Sequence, residues 1–152
     1  MNGRPDDDPE AAFASALAGD LRSLIGKLKR RLREQASGAG DLTPSQVSVL
    51  LRLEREGPTT MSNLARAEGM RPQSMGSAVT LLESAGLVRG VPDPHDGRQT
   101  ILSLTDTCRE WITEGRAARQ DWLIRTIRAR LSPQEQQDLA ATVKLLKRLV
   151  DD

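Results

Sequence analysis

The chain has almost no side chains that cross-link or stack on bases. Its 152 residues include one Cys, no Tyr, one Phe and two Trp. A single cysteine excludes an internal disulfide and is typical of a reducing compartment. So few aromatic rings argue against binding of single-stranded nucleic acid, which depends on base stacking. The whole chain contains only one His and one Cys, so a zinc site also lacks its usual ligands.

Long apolar runs are missing as well. No segment approaches the roughly 18 successive apolar residues of a membrane-spanning helix. Residues 1–10 are acidic and contain proline, unlike the start of a signal peptide. We therefore expect a cytoplasmic protein without a membrane partner. The chain also lacks a nucleophile–base pair, a phosphate-binding loop and a metal ligand set, so we expect no enzymatic activity, no cofactor and no metal.

The middle of the chain predicts two short helices joined by a tight turn. Thr60 is suited to cap the first helix, and Gly69 ends it because glycine readily adopts a positive φ. Pro72 is favourable in the first turn of the second helix, which we expect to end near Ala85, before Gly86. Apolar residues at helical spacing predict that this second helix buries one stripe: Met75, Ala78, Val79 and Leu82.

A two-stranded hairpin is predicted directly after these helices. Residues 87–91 and 99–104 are strand-like, and the polar residues 93–98 form the turn between them. Residues 59–61 are expected to add a short edge strand. The order helix, turn, helix, hairpin is typical of a domain that binds duplex DNA.

The second helix offers only polar side chains on its exposed face. Gln is suited to a bidentate pair with adenine, whereas Ser and Thr are suited to base edges or phosphates. A polar surface without a partner is the alternative interpretation. The residues predicted to meet the major groove are Arg71, Gln73, Ser74, Ser77 and Thr80.

The hairpin tip contributes a second set of candidate contacts. The guanidinium of Arg98 is suited to enter a minor groove, while pairing with Asp96 to hold the turn is the alternative, and both roles are compatible. His95 is expected to contact a phosphate or to serve only as a turn residue. Residues 42–105 carry six Arg and six Asp or Glu, so DNA affinity would depend on where the arginines point rather than on a net positive charge.

Long helices are predicted on both sides of this domain. Residues 1–12 are expected to be a solvated tail, and an amphipathic helix follows from Phe13. Thr43-Pro44-x-Gln46 predicts a capped helix before residue 57. In that helix we expect Val47, Leu50, Leu51 and Leu53 to face inward. Thr105 should cap a long helix to about residue 131, and Ser132 should cap the last one.

The terminal helices, residues 13–36 and 106–150, carry more apolar surface than a small domain of residues 42–105 could cover. Exposed apolar stripes of this size indicate a partner surface, and a second copy of the chain is the natural partner. The basic face of the first helix, with Lys27 and Arg30, is either a nucleic-acid patch or a solvated face. The residues predicted to join two copies are Phe13, Leu17, Leu21, Leu139, Leu146 and Leu149.

Four short motifs in this order resemble the MarR family of bacterial transcription regulators. They are Leu42-Thr43-Pro44-x-Gln46, Ser62-x-Leu64-Ala65, Asp96-x-Arg98 and Leu104-Thr105. The resemblance implies a mainly α fold with a small β-hairpin wing: a winged helix-turn-helix flanked by long N- and C-terminal dimerisation helices. It also implies a homodimeric repressor of a pseudo-palindromic operator, an Asp96–Arg98 pairing that shapes the wing, and release by a small-molecule effector.

The resemblance leaves one alternative function open. Many members have a bulky polar or basic residue where this chain has Gly76 and Ser77. A winged helix that serves as a protein-interaction module and no longer binds DNA is therefore the second hypothesis. Cys108 is interpreted as a small, partly buried residue rather than a redox sensor. Trp111 and Trp122 share one helix face and are expected to pack, with the border of an effector pocket as the alternative.

Overall fold

The computed structural model describes residues 8–36 and 42–151 of the chain. They form six helices with a small antiparallel sheet, so the predicted mainly α class with a β wing is confirmed. In order, the elements are α1 (Pro9–Glu34), α2 (Pro44–Glu56), β1 (Thr59–Thr60), α3 (Met61–Ala67), α4 (Pro72–Ser84), β2 (Val88–Pro92), β3 (Thr100–Leu104), α5 (Asp106–Arg130) and α6 (Pro133–Lys147).

Side-chain caps start most of the helices where the sequence predicts them. Thr43 Oγ1 accepts a hydrogen bond from Gln46 N, and the Gln46 side chain accepts one from Thr43 N, a reciprocal capping box. Ser132 and Glu135 form the same arrangement before α6. Thr60 Oγ1 accepts from Asn63 N and caps α3. The predicted starts of α2, α3 and α6 are therefore confirmed.

The first helix begins earlier than predicted. Residues 9–12, which the sequence predicts as part of a solvated tail, are the first turn of α1. Asp8 is the N-cap and its side chain accepts a hydrogen bond from Glu10 N at 3.0 Å, while Pro9 occupies the first helical position. An Asp cap, a Pro and an acidic first turn together form a complete helix start, which apolar periodicity does not reveal. Residues 1–7 of that tail lie outside the described residues.

The sheet has the order β1-β3-β2, with both pairs antiparallel. Val88 pairs with Leu104 and Pro92 with Thr100, which gives the hairpin, and Thr59 pairs with Leu102 to add the edge strand. The strands predicted from the sequence are thus confirmed to within a residue or two.

The chain divides into two units, one of which is Ser37–Ala117. Its core lies between α2, α3, α4 and the sheet, and continues into the first turns of α5. The fully or almost fully buried side chains are Val49, Leu50, Leu53, Leu64, Ala65, Met75, Val79, Leu82, Val88, Leu102, Leu104, Cys108 and Ile112.

The buried face of α2 and the boundary of the unit at α5 differ from the prediction. Val49 is buried where the sequence predicts Val47, and Leu51 is 40% exposed, because the buried row of α2 begins one residue earlier, at the capping residue Gln46. We predicted residues 106–150 as one dimerisation region. Ile112 is nevertheless buried in the same core as the sheet, so the start of α5 belongs to the unit that contains the hairpin.

The other unit is Met1–Ala36 together with Ala118–Asp152. Among its described residues, α1 and α6 bury no side chain. Phe13 is 71% and Leu17 56% exposed, and Leu149 is exposed to the same extent as Phe13. Leu149 and Val150 lie just beyond Lys147, where α6 ends, rather than inside the helix as predicted. Across the described part of the chain, none of the helices is both long and apolar enough to span a membrane.

Candidate nucleic-acid interface

The turn between α3 and α4 is closed by a glycine with φ of 63° at Gly69. Gly69 N donates to Arg66 O at 3.2 Å, and Met70 N donates to Ala65 O at 2.9 Å. This pair of hydrogen bonds is a Schellman motif, which satisfies the last carbonyls of α3 and reverses the chain toward α4. The turn predicted from Gly69 is thus formed, and it fixes the direction in which α4 leaves.

Helix α4 has the two faces that the sequence predicts. Its buried stripe consists of Met75, Ala78, Val79 and Leu82. Arg71 is the N-cap, and its side chain makes no capping hydrogen bond, so the first amides of α4 have no side-chain acceptor there. We define the recognition face as the exposed polar side chains of the helix: Gln73, Ser74, Ser77 and Thr80.

The hydroxyl groups along α4 bond to their own helix. Ser77 Oγ donates to Gln73 O at 3.2 Å, Thr80 Oγ1 donates to Gly76 O at 2.9 Å, and Ser84 Oγ donates to Thr80 O at 2.9 Å. Gly76 lies among them, and a Cβ added to it would meet only Met61 Sδ, at 3.9 Å. Around Ser77 and Thr80, the surface of α4 is therefore flat, with short side chains beside a glycine.

The hairpin tip, which we call the wing turn, is held by Asp side chains that accept from the backbone. Asp93 Oδ1 accepts from His95 N at 2.8 Å, and Asp96 Oδ1 accepts from Arg98 N at 3.2 Å. Arg98 Nε lies 3.8 Å from Asp96 Oδ1, but the guanidinium side chain is 96% exposed. Asp96 thus shapes the turn mainly through the backbone, which leaves the cation of Arg98 in solvent where a phosphate or groove can meet it.

The two strands behind the wing turn approach each other closely at Gly90. A Cβ added there would lie 2.6 Å from Thr100 Cγ2 and 3.3 Å from Glu83 Oε1. A side chain at this position would therefore require the Thr100 side chain to move. His95, at the tip, is exposed, and the described residues contain no group of three or more His, Cys, Asp or Glu side chains arranged for a metal ion.

Four arginines of this unit, from α3 through the hairpin, are exposed. They are Arg66, Arg71, Arg89 and Arg98. Arg66 Nη1 donates to Asn63 Oδ1 at 3.4 Å, a weak contact that leaves most of its charge available. The favourable charges therefore lie at separate points of α3, α4 and the hairpin rather than in one basic patch.

A buried ionic contact that the sequence analysis missed supports the turn between α3 and α4. The Glu68 side chain, only 10% exposed, accepts hydrogen bonds from Arg52 Nε and, at 2.8 Å, from Ser48 Oγ. Arg52 also donates to Glu56 at 2.9 Å. The hydrogen bond from Arg52 lowers the pKa of Glu68 despite the partial burial. The only signal in the sequence was the i, i+4 row of Ser48, Arg52 and Glu56 on α2, which does not indicate that Glu68 completes it.

A second missed contact joins α5 to α2. Arg116 Nη1 and Nη2 donate to the two carboxylate oxygens of Glu54 at 2.7 and 2.6 Å, a bidentate pair. The hydrogen bonds from Arg116 lower the pKa of Glu54. The two residues are 62 positions apart, so no local pattern could predict their pairing.

Thr105 links three elements of the unit. Its Oγ1 accepts from Cys108 N at 3.1 Å, which confirms the predicted cap of α5, and donates to Gly86 O at 2.6 Å beyond the end of α4. Cys108 is fully buried, deeper than the partial burial expected, and desolvation raises the pKa of its thiol to about 11. A buried, protonated thiol agrees with a packing residue rather than a redox sensor.

The residues predicted for dimerisation are at the surface of the single chain. Phe13, Leu17 and Leu149 are more than half exposed, and Leu139 is 37% exposed, while Leu21 and Leu146 are half-buried.

Trp111 packs against the core of the unit that contains the hairpin, as its packing interpretation predicts, and Trp122 is half-buried. On α1, Arg22, Lys27, Lys29, Arg30 and Arg33 surround a surface depression of about 480 Å³ next to Gly26.

Comparison with known proteins agrees with this architecture. The MarR family profile matches residues 40–99. An HTH-type transcriptional regulator of Mycobacterium tuberculosis is 35% identical over 136 residues, which is 90% of this chain and 94% of the relative. The crystal structure of a putative transcriptional regulator from Pseudomonas aeruginosa has a TM-score of 0.76 and 36% identity, and the match covers 92% of this chain and 97% of that one.

A mutant of S. aureus MepR bound to an oligodeoxyribonucleotide shares the fold. Its TM-score is 0.72 at 20% identity, over 88% of this chain and 97% of that one. The family profile spans α2, α3, α4 and most of the wing, and the M. tuberculosis relative extends the match to nearly the whole chain. The chain belongs to the MarR family of helix-turn-helix transcriptional regulators.

Proposed function

We propose that this protein is a homodimeric repressor that binds a pseudo-palindromic operator through α4 and the wing turn. The observation that carries the proposal is the pairing of one flat polar helix face with one fully exposed arginine. The recognition face of α4 is exposed above a completely buried stripe, and Arg98 is 96% exposed at the tip of the hairpin. A helix of this kind is suited to the major groove, and an arginine on a hairpin to the adjacent minor groove.

Positioning of α4 supports the same function. The Schellman turn at Gly69 and the contact of Glu68 with Arg52 hold the α3–α4 turn to α2. A recognition helix must be presented rigidly, because base-edge contacts tolerate little displacement. Exposed, unpaired cations such as Arg71 would add phosphate contacts, which fix register without reading sequence.

Exposed apolar residues support the dimer. Neither α1 nor α6 buries a side chain among the described residues, and Phe13, Leu17 and Leu149 are each more than half exposed. Obligate interfaces of intertwined helices often bury more than about 2,000 Å² in total. Sedimentation that gives a stable, folded monomer at micromolar concentration would contradict this part of the proposal.

A two-fold dimer implies an operator with two half-sites. Two recognition helices that read one side of B-DNA must lie about 34–36 Å apart, one helical turn. We propose that a small, largely apolar molecule favours another spacing and so releases the operator without dissociating the dimer. A preference of about 1–3 kcal/mol for that spacing lowers the affinity some 5- to 150-fold.

Loss of the wing cation tests the DNA-binding function. Arg98→Ala should weaken binding to DNA from the chain's own promoter by about 1–3 kcal/mol while the dimer stays folded. Arg55→Ala is the matched control, since Arg55 is an exposed arginine at the end of α2, outside the proposed interface. Fluorescence anisotropy at fixed moderate salt measures both.

The three possible outcomes of this experiment lead to different conclusions. A loss confined to Arg98→Ala supports DNA binding through the wing. Equal, small losses for both variants would return Arg98 to a turn-stabilising role. If the wild-type protein binds no duplex at all, the near-neutral charge and flat helix face favour the other hypothesis, a winged helix that contacts proteins.

A further inference from the structure

Two hydroxyl groups of the recognition face, those of Ser77 and Thr80, already donate hydrogen bonds within α4. Ser77 Oγ donates to Gln73 O at 3.2 Å, and Thr80 Oγ1 donates to Gly76 O at 2.9 Å. A hydroxyl carries one hydrogen and two lone pairs. Because the hydrogen is bonded within the helix, each hydroxyl presents only acceptor lone pairs to a molecule that meets this face.

Acceptor-only hydroxyls restrict which groups of DNA they bind. Phosphate oxygens accept hydrogen bonds but do not donate them, so these hydroxyls gain nothing from the backbone. In the major groove, the donors are the N6 amino group of adenine and the N4 amino group of cytosine. Guanine and thymine carry carbonyl oxygens at the corresponding positions, where two acceptors would repel each other.

We propose that Ser77 and Thr80 select, at the base each one meets, adenine over guanine or cytosine over thymine. This inference rests on the proposed DNA-binding function and specifies which base edges the recognition face reads. It also separates two roles that the residue types alone leave open, because it assigns the hydroxyls to base edges rather than to phosphates.

Short hydroxyl side chains reach base edges only if the helix backbone comes close to the groove floor. Gly76 makes that approach geometrically open, since it lies beside both hydroxyls and carries no side chain. Packing does not require a glycine there, because an added Cβ would meet only Met61 Sδ, at 3.9 Å. The flat surface around Ser77 and Thr80 and the acceptor-only hydroxyls therefore both favour direct contact of α4 with base edges.

Thr80 is the better residue for the test, since valine copies its shape without the hydroxyl. Wild-type protein, Thr80→Val and Thr80→Ser are each used to select duplexes from a double-stranded DNA library with a randomised centre. Ser84→Ala is the matched control, because Ser84 Oγ makes the same type of bond, at 2.9 Å to Thr80 O, one turn farther from the N-terminus of α4. Thermal melting verifies that every variant is folded.

Selection should show a change at one position of each half-site. The wild type, Thr80→Ser and Ser84→Ala should prefer adenine over guanine, or cytosine over thymine, at that position by about tenfold, the effect of one hydrogen bond. Thr80→Val should lose that preference and keep the rest of the consensus. Its affinity for unrelated duplex should not change, since no phosphate contact is lost.

Deletion of the amino group provides the second arm of the test. In the selected duplex, the adenine at that position is replaced by purine, or the cytosine by 2-pyrimidinone, which lack only the amino group. The wild type should bind the altered duplex about tenfold more weakly, and Thr80→Val should bind both duplexes equally well.

Two results would overturn the inference while the DNA-binding function stands. One is an unchanged consensus for Thr80→Val, and the other is an equal loss by wild type and Thr80→Val when the amino group is deleted. A wild-type preference for guanine or thymine at every position that Thr80→Val alters would overturn it as well. If the wild type selects no sequence, the proposed DNA-binding function fails and this inference fails with it.

Discussion

Gly76→Ala should make the protein more stable and a weaker DNA binder. Gly76 lies inside α4, where glycine destabilises a helix by about 1 kcal/mol relative to alanine. The added methyl group meets no clash, since the nearest atom outside the local helix is Met61 Sδ at 3.9 Å, an ordinary van der Waals distance. The fold alone thus gives no reason for a glycine at this position.

The size of both effects follows from that geometry. The free energy of unfolding should rise by about 0.5–1 kcal/mol, which raises the Tm by roughly 1–4 °C for a chain of this length. On the recognition face, the methyl group would stand between the helix and the groove floor, beside Ser77 and Thr80. We expect affinity for the operator to fall by about 1–3 kcal/mol, the usual cost of a lost base contact.

Calorimetry at fixed protein concentration measures the stability, and anisotropy with a labelled operator duplex measures the affinity. Gly26→Ala is the matched control, because Gly26 also lies inside a helix, α1, and a Cβ on it meets nothing within 4 Å. It should stabilise the protein equally and leave DNA binding unchanged. A Gly76→Ala protein that binds operator as tightly as the wild type would refute close approach of α4, and a lower Tm would refute the assignment of free space at Gly76.

Four further predictions concern stability, assembly and reactivity. Leu146→Asp should abolish the folded dimer in sedimentation experiments, whereas Leu145→Asp should be tolerated, since Leu145 lies off the helix face that Leu139, Val143 and Leu146 share on α6. Gly90→Ala should destabilise the hairpin, because the new Cβ would lie 2.6 Å from a threonine methyl group, and a lowered Tm would show it. Cys108, with a thiol pKa of about 11, should have only about one thiol in a thousand ionised at pH 8, so iodoacetamide should label it rapidly only after unfolding. Folding lowers the pKa of Glu68, so the stability that its carboxylate contributes is present above the ordinary pKa of about 4.3 and is lost as pH falls through the lower folded pKa. Glu68→Gln should reduce the free energy of unfolding at pH 7 by about 1–2 kcal/mol. In urea titrations below pH 4.3, the stability of this variant should depend less on pH than that of the wild type.

Local signals in the sequence determined most of the elements. The capping boxes at Thr43 and Ser132 and the glycine turn at Gly69 each involve residues within a few positions of one another, so their hydrogen bonds are specified locally. The start of α1 was also encoded locally, by Asp8 and Pro9, although apolar periodicity did not reveal it. Periodicity likewise predicted the buried and exposed faces of α4 correctly, because its stripe is long and uninterrupted.

Tertiary structure decided those faces and contacts that local patterns in the sequence leave open. In α2 the apolar residues are dense enough to allow two faces, and only packing against the sheet chose Val49 over Val47. Pairing of Glu54 with Arg116 depends on chain segments that meet only after folding, as does that of Glu68 with Arg52. The sequence showed that Ser77 and Thr80 are polar and on one face. The folded backbone decided where their hydrogens go, because a helical carbonyl four residues earlier lies within reach of each hydroxyl.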